Sequence, residues 1–180
     1  MFLESGARRV IFEGRECGGH VGPRTSFVLW EQMIGVILLH LATSKSKADD
    51  YHVLFAGGIH DAMSAAMVAA MAVPLVERGV RIGVLLGTSY LFTKEAVTSG
   101  AIVEGFQQEA IACKETILLE SGVGHATRCA QTPFGKAFEN EKRRLIRAGR
   151  SKEEIREALE SLNLGRLRIA SKGITRSEEQ

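Results

Sequence analysis

One histidine stands among glycines in the segment Glu13–Pro23, EGRECGGHVGP. The apolar run Val10–Phe12 precedes it, so a short strand is expected to end where this polar loop begins. The imidazole of His20 can accept or donate a proton near neutral pH, and the flanking glycines would let a flat ligand approach the ring. A loop histidine that only hydrogen-bonds a backbone carbonyl is the structural alternative. His20 is therefore a candidate acid–base residue.

Two further glycine positions each follow an apolar run directly. Gly57 and Gly58 lie in FAGGIHD, and Gly87 and Thr88 lie in LLGTSY. Glycine lets the backbone come close to a ligand, and N–H groups at the start of a helix attract an anion. Successive βα loops that share a phosphate recur at the upper end of (β/α)8 barrels. The glycines could instead serve only as tight turns, but two such positions in tandem favour a phosphate site.

Other chemistries find less support in the sequence. Cys17 and His20, together with His125 and Cys129, would supply a set of zinc ligands. The two pairs lie far apart and the Gly-Gly between the first two ligands is flexible, so no metal site is predicted. The motifs G-x-G-x-x-G and G-x-S-x-G are absent, as is a P-loop lysine. These absences disfavour a Rossmann nicotinamide site and a serine hydrolase.

The elements that must position these residues alternate along the chain. Three strands are predicted in RRVIFEG, YHVLFAGG and VRIGVLLG. Between them, Phe27–Ala42 has apolar residues at helical spacing, and a second helix begins at the N-cap Asp61, with Pro74 expected to kink or shorten it. Apolar strands that alternate with helices indicate an α/β fold with a parallel sheet, either open or closed into a barrel. Both architectures place their sites at the carboxyl ends of the strands.

The remainder of the chain differs in sequence pattern and is richer in charged residues. A short helix is predicted near residues 106–113, then the extended run TILLE, and then a helical hairpin rich in charged residues. In that hairpin SKEE forms a capping box at Ser151, and Ile155, Leu159 and Leu162 form the buried stripe. The opening segment MFLESGA is typical of the end of a helix. Because a complete (β/α)8 barrel needs about 250 residues, we expect the chain to be the C-terminal part of a larger TIM-type barrel. The expected divisions are a partial barrel at 1–135, a helical extension at 136–172 and a frayed tail at 173–180.

Composition limits the class of protein. The chain has 180 residues, a net charge of +2 and three cysteines. This near-neutral balance favours neither nucleic acid nor an anionic membrane as a partner. Few, widely spaced cysteines argue against a disulfide framework, and charges at Glu4, Arg8 and Arg9 argue against a signal peptide. Phe27–Ala42 is short for a membrane span. A cytoplasmic protein is predicted.

Three motifs, EGRECGGHVG, FAGGIHD and LLGTSYLFTKEA, resemble successive motifs of the nitronate monooxygenases, formerly called 2-nitropropane dioxygenases. The same superfamily includes the FMN-dependent enoyl-acyl-carrier-protein reductases. Its members are FMN-binding TIM barrels with an E-A-G-G-H-x-G loop, an A-G-G-I loop and a G-T-x-F/Y loop in this order. The resemblance covers about Arg8–Ala96. The runs HATRCAQTPF and LNLGRLRIASKG are similar to the version associated with polyketide and polyunsaturated-fatty-acid synthases.

The resemblance implies specific roles. His20 takes the place of the catalytic histidine, Gly18 and Gly19 lie in the loop beside the flavin, and Cys17 stands where alanine is usual. The residues that match the FMN phosphate site are Gly57, Gly58, Gly87 and Thr88. The implied reaction is flavin-mediated oxidation of an alkyl nitronate by dioxygen. One alternative is NAD(P)H-dependent reduction of an enoyl thioester, with acyl carrier protein or synthase modules as partners. Another is a non-catalytic fragment or interaction piece of such a synthase.

Overall fold

The structure is a computed structural model that describes residues 2–174. Its strands are β1 (Arg9–Glu13), β2 (Gly19–Val21), β3 (His52–Ala56), β4 (Arg81–Leu85), β5 (Thr116–Gly122) and β6 (His125–Ala130). Its α-helices are α1 (Ser26–Thr43), α2 (Ala62–Val76), α3 (Lys94–Thr98), α4 (Glu104–Ala112), α5 (Pro133–Arg147), α6 (Lys152–Asn163) and α7 (Arg166–Lys172). Short 3-10 helices occur at Ala48–Asp50 and Thr88–Phe92. The chain divides into two compact units, one of residues up to 17 with 21–87, and one of residues 18–20 with those from 88 onward.

The first unit is built on a parallel sheet with the strand order β1-β3-β4. The register pairs Phe12 with Phe55, and Phe55 with Val84. These three residues and their alternate neighbours face the helices, and Val53 and Phe55 have no exposed surface. Consecutive parallel strands joined by helices are the arrangement that the apolar runs predicted. The α/β class is therefore confirmed.

Helix α1 lies against this sheet through Trp30, Ile34 and Ile37, all of which are buried. The indole Nε1 of Trp30 donates to the carbonyl oxygen of Phe12 at 3.1 Å, which fixes the helix to β1. Phe27, at the start of the predicted apolar stripe, is half exposed because it lies in the first turn, at the edge of this contact. The helix has 18 residues and is by length and composition able to cross a membrane, whereas the segment Phe27–Ala42 was expected to be too short. Core helices of soluble proteins pass the same test.

Helix α2 begins as the sequence predicts. The Asp61 side chain accepts from the N–H of Ser64, and the Ser64 hydroxyl in turn accepts from the N–H of Asp61, so a capping box is complete. Pro74 lies inside the last turn of the helix. The buried residues of α2 are Val68, Ala72 and Leu75.

The opposite face of the parallel sheet also carries apolar residues. Ile11, Leu54 and Gly83 pair in one row across the three strands, and Ile11 is 54% exposed. A Cβ atom at Gly83 would lie 2.9 Å from a methyl carbon of Leu54, so the glycine makes room for the leucine beside it.

The second unit contains an antiparallel hairpin of β5 and β6, within a sheet of order β2-β6-β5. Leu119 of β5 packs against Phe138 of α5 and Leu159 of α6, and these three residues form its buried core. The capping box at Ser151 is present, and Ile155 and Leu162 flank Leu159 as the periodicity predicts. The helical hairpin is therefore confirmed, although α5 begins at Pro133, ahead of the expected position.

The sheets and the unit boundary differ from the expected architecture. The described residues form two three-stranded sheets, so a closed barrel is not seen within them. The antiparallel hairpin was not predicted, because the turn at Val123–Gly124 lies within a run whose glycines gave no clear periodicity. The chain passes from one compact unit to the other between residues 87 and 88. The boundary expected at 135–136 rests on composition and stays a prediction. Of the predicted tail, 175–180 lies outside the described residues.

Candidate functional site

The loops that carry the candidate residues follow neighbouring strands of the parallel sheet. Glu13, Ala56 and Leu85, the last residues of β1, β3 and β4, pair in one row. The N–H of Gly14 donates to the carbonyl oxygen of Ala56 at 2.9 Å, so the first two loops begin in direct contact. Carboxyl ends of parallel strands are where α/β folds bind ligands. The carboxyl ends of the three parallel strands therefore lie side by side.

The Gly57–Gly58 loop has a backbone that requires glycine. Its φ angles are +124° at Gly57 and +76° at Gly58, in the left-handed half of φ space that side chains disfavour. Gly57 is buried, and a Cβ atom there would overlap the hydroxyl oxygen of Ser26. Gly58 is exposed, and the nearest atom to its absent Cβ is Cβ of Glu16 at 3.4 Å. Gly57 thus serves packing, whereas Gly58 presents open backbone.

A serine and a glutamate fix the position of the Gly57–Gly58 loop through hydrogen bonds. Ser26, the first residue of α1, is 3% exposed, and its N–H donates to Oε2 of Glu16 at 2.7 Å. The Ser26 hydroxyl lies 2.5 Å from the same carboxylate oxygen and 3.1 Å from the carbonyl oxygen of Gly57. A Cβ atom at Gly14 would lie 2.5 Å from Cα of Ser26. One hydroxyl therefore joins the start of α1 to the loops after β1 and β3.

The first turn of α2 already has a carboxylate partner, the side chain of Asp61. The carboxylate of Asp61 accepts from the N–H and the hydroxyl of Ser64, and these bonds lower the pKa of Asp61. In addition, Nδ1 of His60 lies 2.9 Å from the carbonyl oxygen of Gly58, a distance at which the ring N–H donates. A phosphate here would therefore use the glycine loop rather than the helix N-terminus, which refines the expectation from sequence.

The third candidate loop follows β4. Gly87 is exposed, and nothing lies within 4 Å of the position that its Cβ atom would take. Thr88 begins a 3-10 helix in the second unit. Its Oγ1 lies 3.3 Å from the position of a Cβ atom at Gly18, so two predicted site residues from different motifs are neighbours.

His20 lies in β2 and its side chain is exposed. The sequence places it in a loop, but Gly19 and Val21 on either side join it in a short strand, which the sheet order sets beside β6. Gly19 has a φ angle of +86°, which a side chain would strain. The structure thus groups Gly18, Gly19, His20 and Thr88 in one unit, and Gly57, Gly58 and Gly87 in the other. Their catalytic and cofactor roles stay predictions.

Cys17 is not a reactive thiol in this setting. Burial, followed by the charge of Glu13 and a hydrogen bond to it, raises the pKa of Cys17 to about 12. The thiol is therefore protonated at neutral pH, and the nucleophilic thiolate is suppressed. Across residues 2–174, His, Cys, Asp and Glu side chains form no group of three or more that could hold a metal ion.

Sequence reasoning missed Glu16, Ser26 and Gly14. A serine directly before an apolar helical run is a recognisable helix-start signal, but Thr25 and Ser26 compete for it, and Thr25 is the N-cap. Nothing local indicates that Glu16, ten residues earlier, reaches Ser26. A separate groove of about 560 Å³ lies between Ile117–Leu119 and the Lys136–Arg143 face of α5, and none of the predicted site residues lines it.

Comparisons with known proteins support the fold. No family model and no curated protein matches the sequence. Among solved structures, the chain is similar to FabK from Thermotoga maritima, a TIM-barrel enzyme, with a TM-score of 0.65 and 24% identity. The match covers 95% of this chain and 45% of that one. A single-residue mutant of the same FabK gives a TM-score of 0.54 at 24% identity, covering 78% of this chain and 39% of that one. The chain therefore spans less than half the length of these structures.

Proposed function

We propose that this chain is the cofactor-binding part of an FMN-dependent oxidoreductase. The observation that carries the proposal is the order of three glycine-bearing loops, at Gly14–Gly19, Gly57–Gly58 and Gly87, after three neighbouring parallel strands. The sequence resemblance and the similarity to FabK point to the same superfamily.

The residues after β3 and β4 suit a phosphate. Gly58 and Gly87 are exposed and carry no side chain, so their backbone can be approached closely. The hydroxyl of Thr88 adds a side-chain donor directly after Gly87. These groups would hold the FMN phosphate with N–H and O–H donors, without a lysine or arginine. When bound, FMN supplies two-electron transfer between the substrate and a co-substrate.

His20 is proposed to handle the substrate proton. Its exposed imidazole can hold a proton on one ring nitrogen and release it to a substrate atom, or accept one there. Cys17, three residues earlier, cannot serve as the base because its raised pKa of about 12 keeps the thiol protonated. Histidine is thus the proton-transfer group that the motif offers near neutral pH.

Two substrates remain candidates. Oxidation of an alkyl nitronate would use dioxygen as the oxidant. Reduction of an enoyl thioester would take two electrons from NAD(P)H and two protons across the carbon–carbon double bond. FabK is an FMN-dependent enoyl-acyl-carrier-protein reductase, so the similarity to it supports the enoyl thioester as the substrate. An acyl carrier protein or synthase module as the partner, and a cytoplasmic location, are further parts of this proposal.

Turnover assays separate the two reactions. The FMN-loaded chain is tested for NADPH oxidation that depends on a crotonyl thioester and, in parallel, for oxygen uptake that depends on a nitroalkane. We expect His20→Ala to bind FMN normally and to lose most of the thioester-dependent rate. His125→Ala, an exposed histidine in the β5–β6 hairpin, is the matched control. Oxygen uptake alone would favour the nitronate reaction, and equal rates for His20→Ala and the wild type would remove the role of His20.

A further inference from the structure

We infer that Glu16 and Ser26 are positioning residues that fix the Gly57–Gly58 loop for the phosphate of the cofactor, an inference that rests on the proposed function. The Ser26 side chain is buried, and the Glu16 carboxylate is bonded to it. Their effect on the site passes through the backbone of Gly57.

Both the backbone N–H and the side-chain hydroxyl of Ser26 form hydrogen bonds at this loop. Its N–H and its hydroxyl both reach Oε2 of Glu16, at 2.7 and 2.5 Å. The hydroxyl has one proton and two acceptors in reach, because the carbonyl oxygen of Gly57 lies 3.1 Å away. A carboxylate is the stronger acceptor of the two. Glu16 therefore takes the stronger hydrogen bond and holds the hydroxyl in place, and the same O–H donates a longer, weaker bond to the carbonyl oxygen of Gly57.

Steric contact makes the arrangement rigid. Ser26 is 3% exposed, and the absent Cβ atoms of both Gly14 and Gly57 point at it. A Cβ atom at Gly57 would also lie 3.2 Å from the nitrogen of Gly14. The loop can therefore shift only if the start of α1 or the end of β1 shifts with it. Interiors packed this closely do not deform continuously.

The charge of Glu16 is also suited to this place. A carboxylate at the first N–H groups of a helix is stabilised by the helix dipole. With Glu16 at the start of α1 and Asp61 at the start of α2, both helix N-termini beside the loop have a carboxylate partner. The exposed backbone of Gly58 is thereby left to meet an external anion.

Fixing donors before a ligand arrives improves affinity, because the loop entropy is lost in folding rather than in binding. The benefit should be confined to the part of the ligand that the loop contacts. FMN and riboflavin differ by the phosphate, so their affinities measure that part separately.

The test compares Ser26→Ala and Glu16→Gln with the matched control Thr25→Ala, since Thr25 is exposed and its side chain makes no capping bond. Quenching of flavin fluorescence gives the Kd of FMN and of riboflavin for each protein. We expect both variants to weaken FMN about tenfold, the usual effect of losing one charge-assisted hydrogen bond, with riboflavin changed less than about twofold. Equal weakening of FMN and riboflavin, or unchanged FMN affinity, would overturn the inference.

Hydrogen exchange provides a measurement that needs no flavin. Ser26→Ala should speed exchange of the amides at 57–59, while amides in the centre of α2 exchange at the wild-type rate. Uniformly faster exchange would mean a general loss of stability and would contradict a positioning role. A wild-type chain that binds neither flavin would overturn the proposed function, and the exchange rates would then decide on their own whether Ser26 fixes the loop.

Discussion

Oγ1 of Thr88 lies 3.3 Å from the position that a Cβ atom at Gly18 would occupy. Gly18 belongs to the histidine-bearing motif and Thr88 to the loop after β4, so two motifs that are far apart in the sequence approach each other here. A contact this short leaves little room for a larger residue at position 18.

Gly18→Val should therefore displace the Thr88 side chain. If Thr88 contributes a donor to the phosphate, FMN affinity should fall severalfold, because a misplaced donor loses most of its hydrogen bond. Gly22→Val is the control, since nothing lies within 4 Å of the Cβ position at Gly22. Fluorescence titration with FMN compares the two variants, and equal affinities would show that Thr88 does not contact the cofactor.

Gly57→Ala should destabilise the first unit strongly. The alanine would need a φ angle of +124° and would overlap the Ser26 hydroxyl. Gly79→Ala is the control, because Gly79 has a φ angle of +93° and open space around it. We expect the Gly57→Ala loss to exceed that of Gly79→Ala by about 1–3 kcal/mol, the usual effect of overpacking. Urea unfolding followed by the fluorescence of the buried Trp30 measures both, and equal losses would contradict the packing role.

The parallel sheet and the two capping boxes could be predicted because each depends on residues close together in the sequence. The runs Val10–Phe12 and Val53–Phe55 define strands by themselves, and Asp61 and Ser151 act within one helical turn. Glu16 could not be identified in this way. Its partner Ser26 lies across a loop, and the acceptor Gly57 lies on another strand end, so the contact exists only after the sheet has formed.

The division of the chain into two compact units could not be predicted from the sequence either. Gly18–His20 groups with residues from 88 onward through the order β2-β6-β5, which depends on a hairpin whose turn has no strong signal. Local periodicity reports which residues are buried, but not which strands pair.

The second unit should lose stability in acid through Glu154. The carboxylate accepts from the N–H of Ser151 and from Arg150, and these bonds hold the pKa of Glu154 below its ordinary value of 4.5. Because the folded pKa is lowered, this stabilisation is complete above 4.5 and is lost as the pH falls through the lowered folded value.

Glu154→Gln should therefore flatten the acid side of the stability curve. Urea unfolding followed by circular dichroism, near neutrality and well below the ordinary glutamate pKa, measures the change. Glu157→Gln on the same helix removes one carboxylate outside the capping box and is the matched control. A slope for Glu154→Gln that equals the wild type would show that the capping carboxylate does not titrate with folding.

Cys17 should resist alkylation. Burial and the charge of Glu13 raise the pKa of Cys17 to about 12. The thiol therefore remains protonated at pH 9.0, which is the ordinary pKa of a cysteine thiol. Iodoacetamide labelling at that pH, read by peptide mass spectrometry, should be much slower in the native chain than in urea. The same shift stabilises the fold below pH 9.0 and is lost as the pH rises towards about 12, so Cys17→Ala should lose less stability in alkali than the wild type. Rapid native labelling would contradict the shift.

FMN retention by the purified chain tests the central claim most directly. The chain is mixed with excess FMN, separated from free flavin by gel filtration, and examined for flavin absorbance in the protein fraction. The account predicts a yellow protein with one FMN per chain, and weaker retention of riboflavin because it lacks the phosphate that Gly58, Gly87 and Thr88 are proposed to hold. A folded chain that emerges colourless would contradict the claim that these loops form an FMN site.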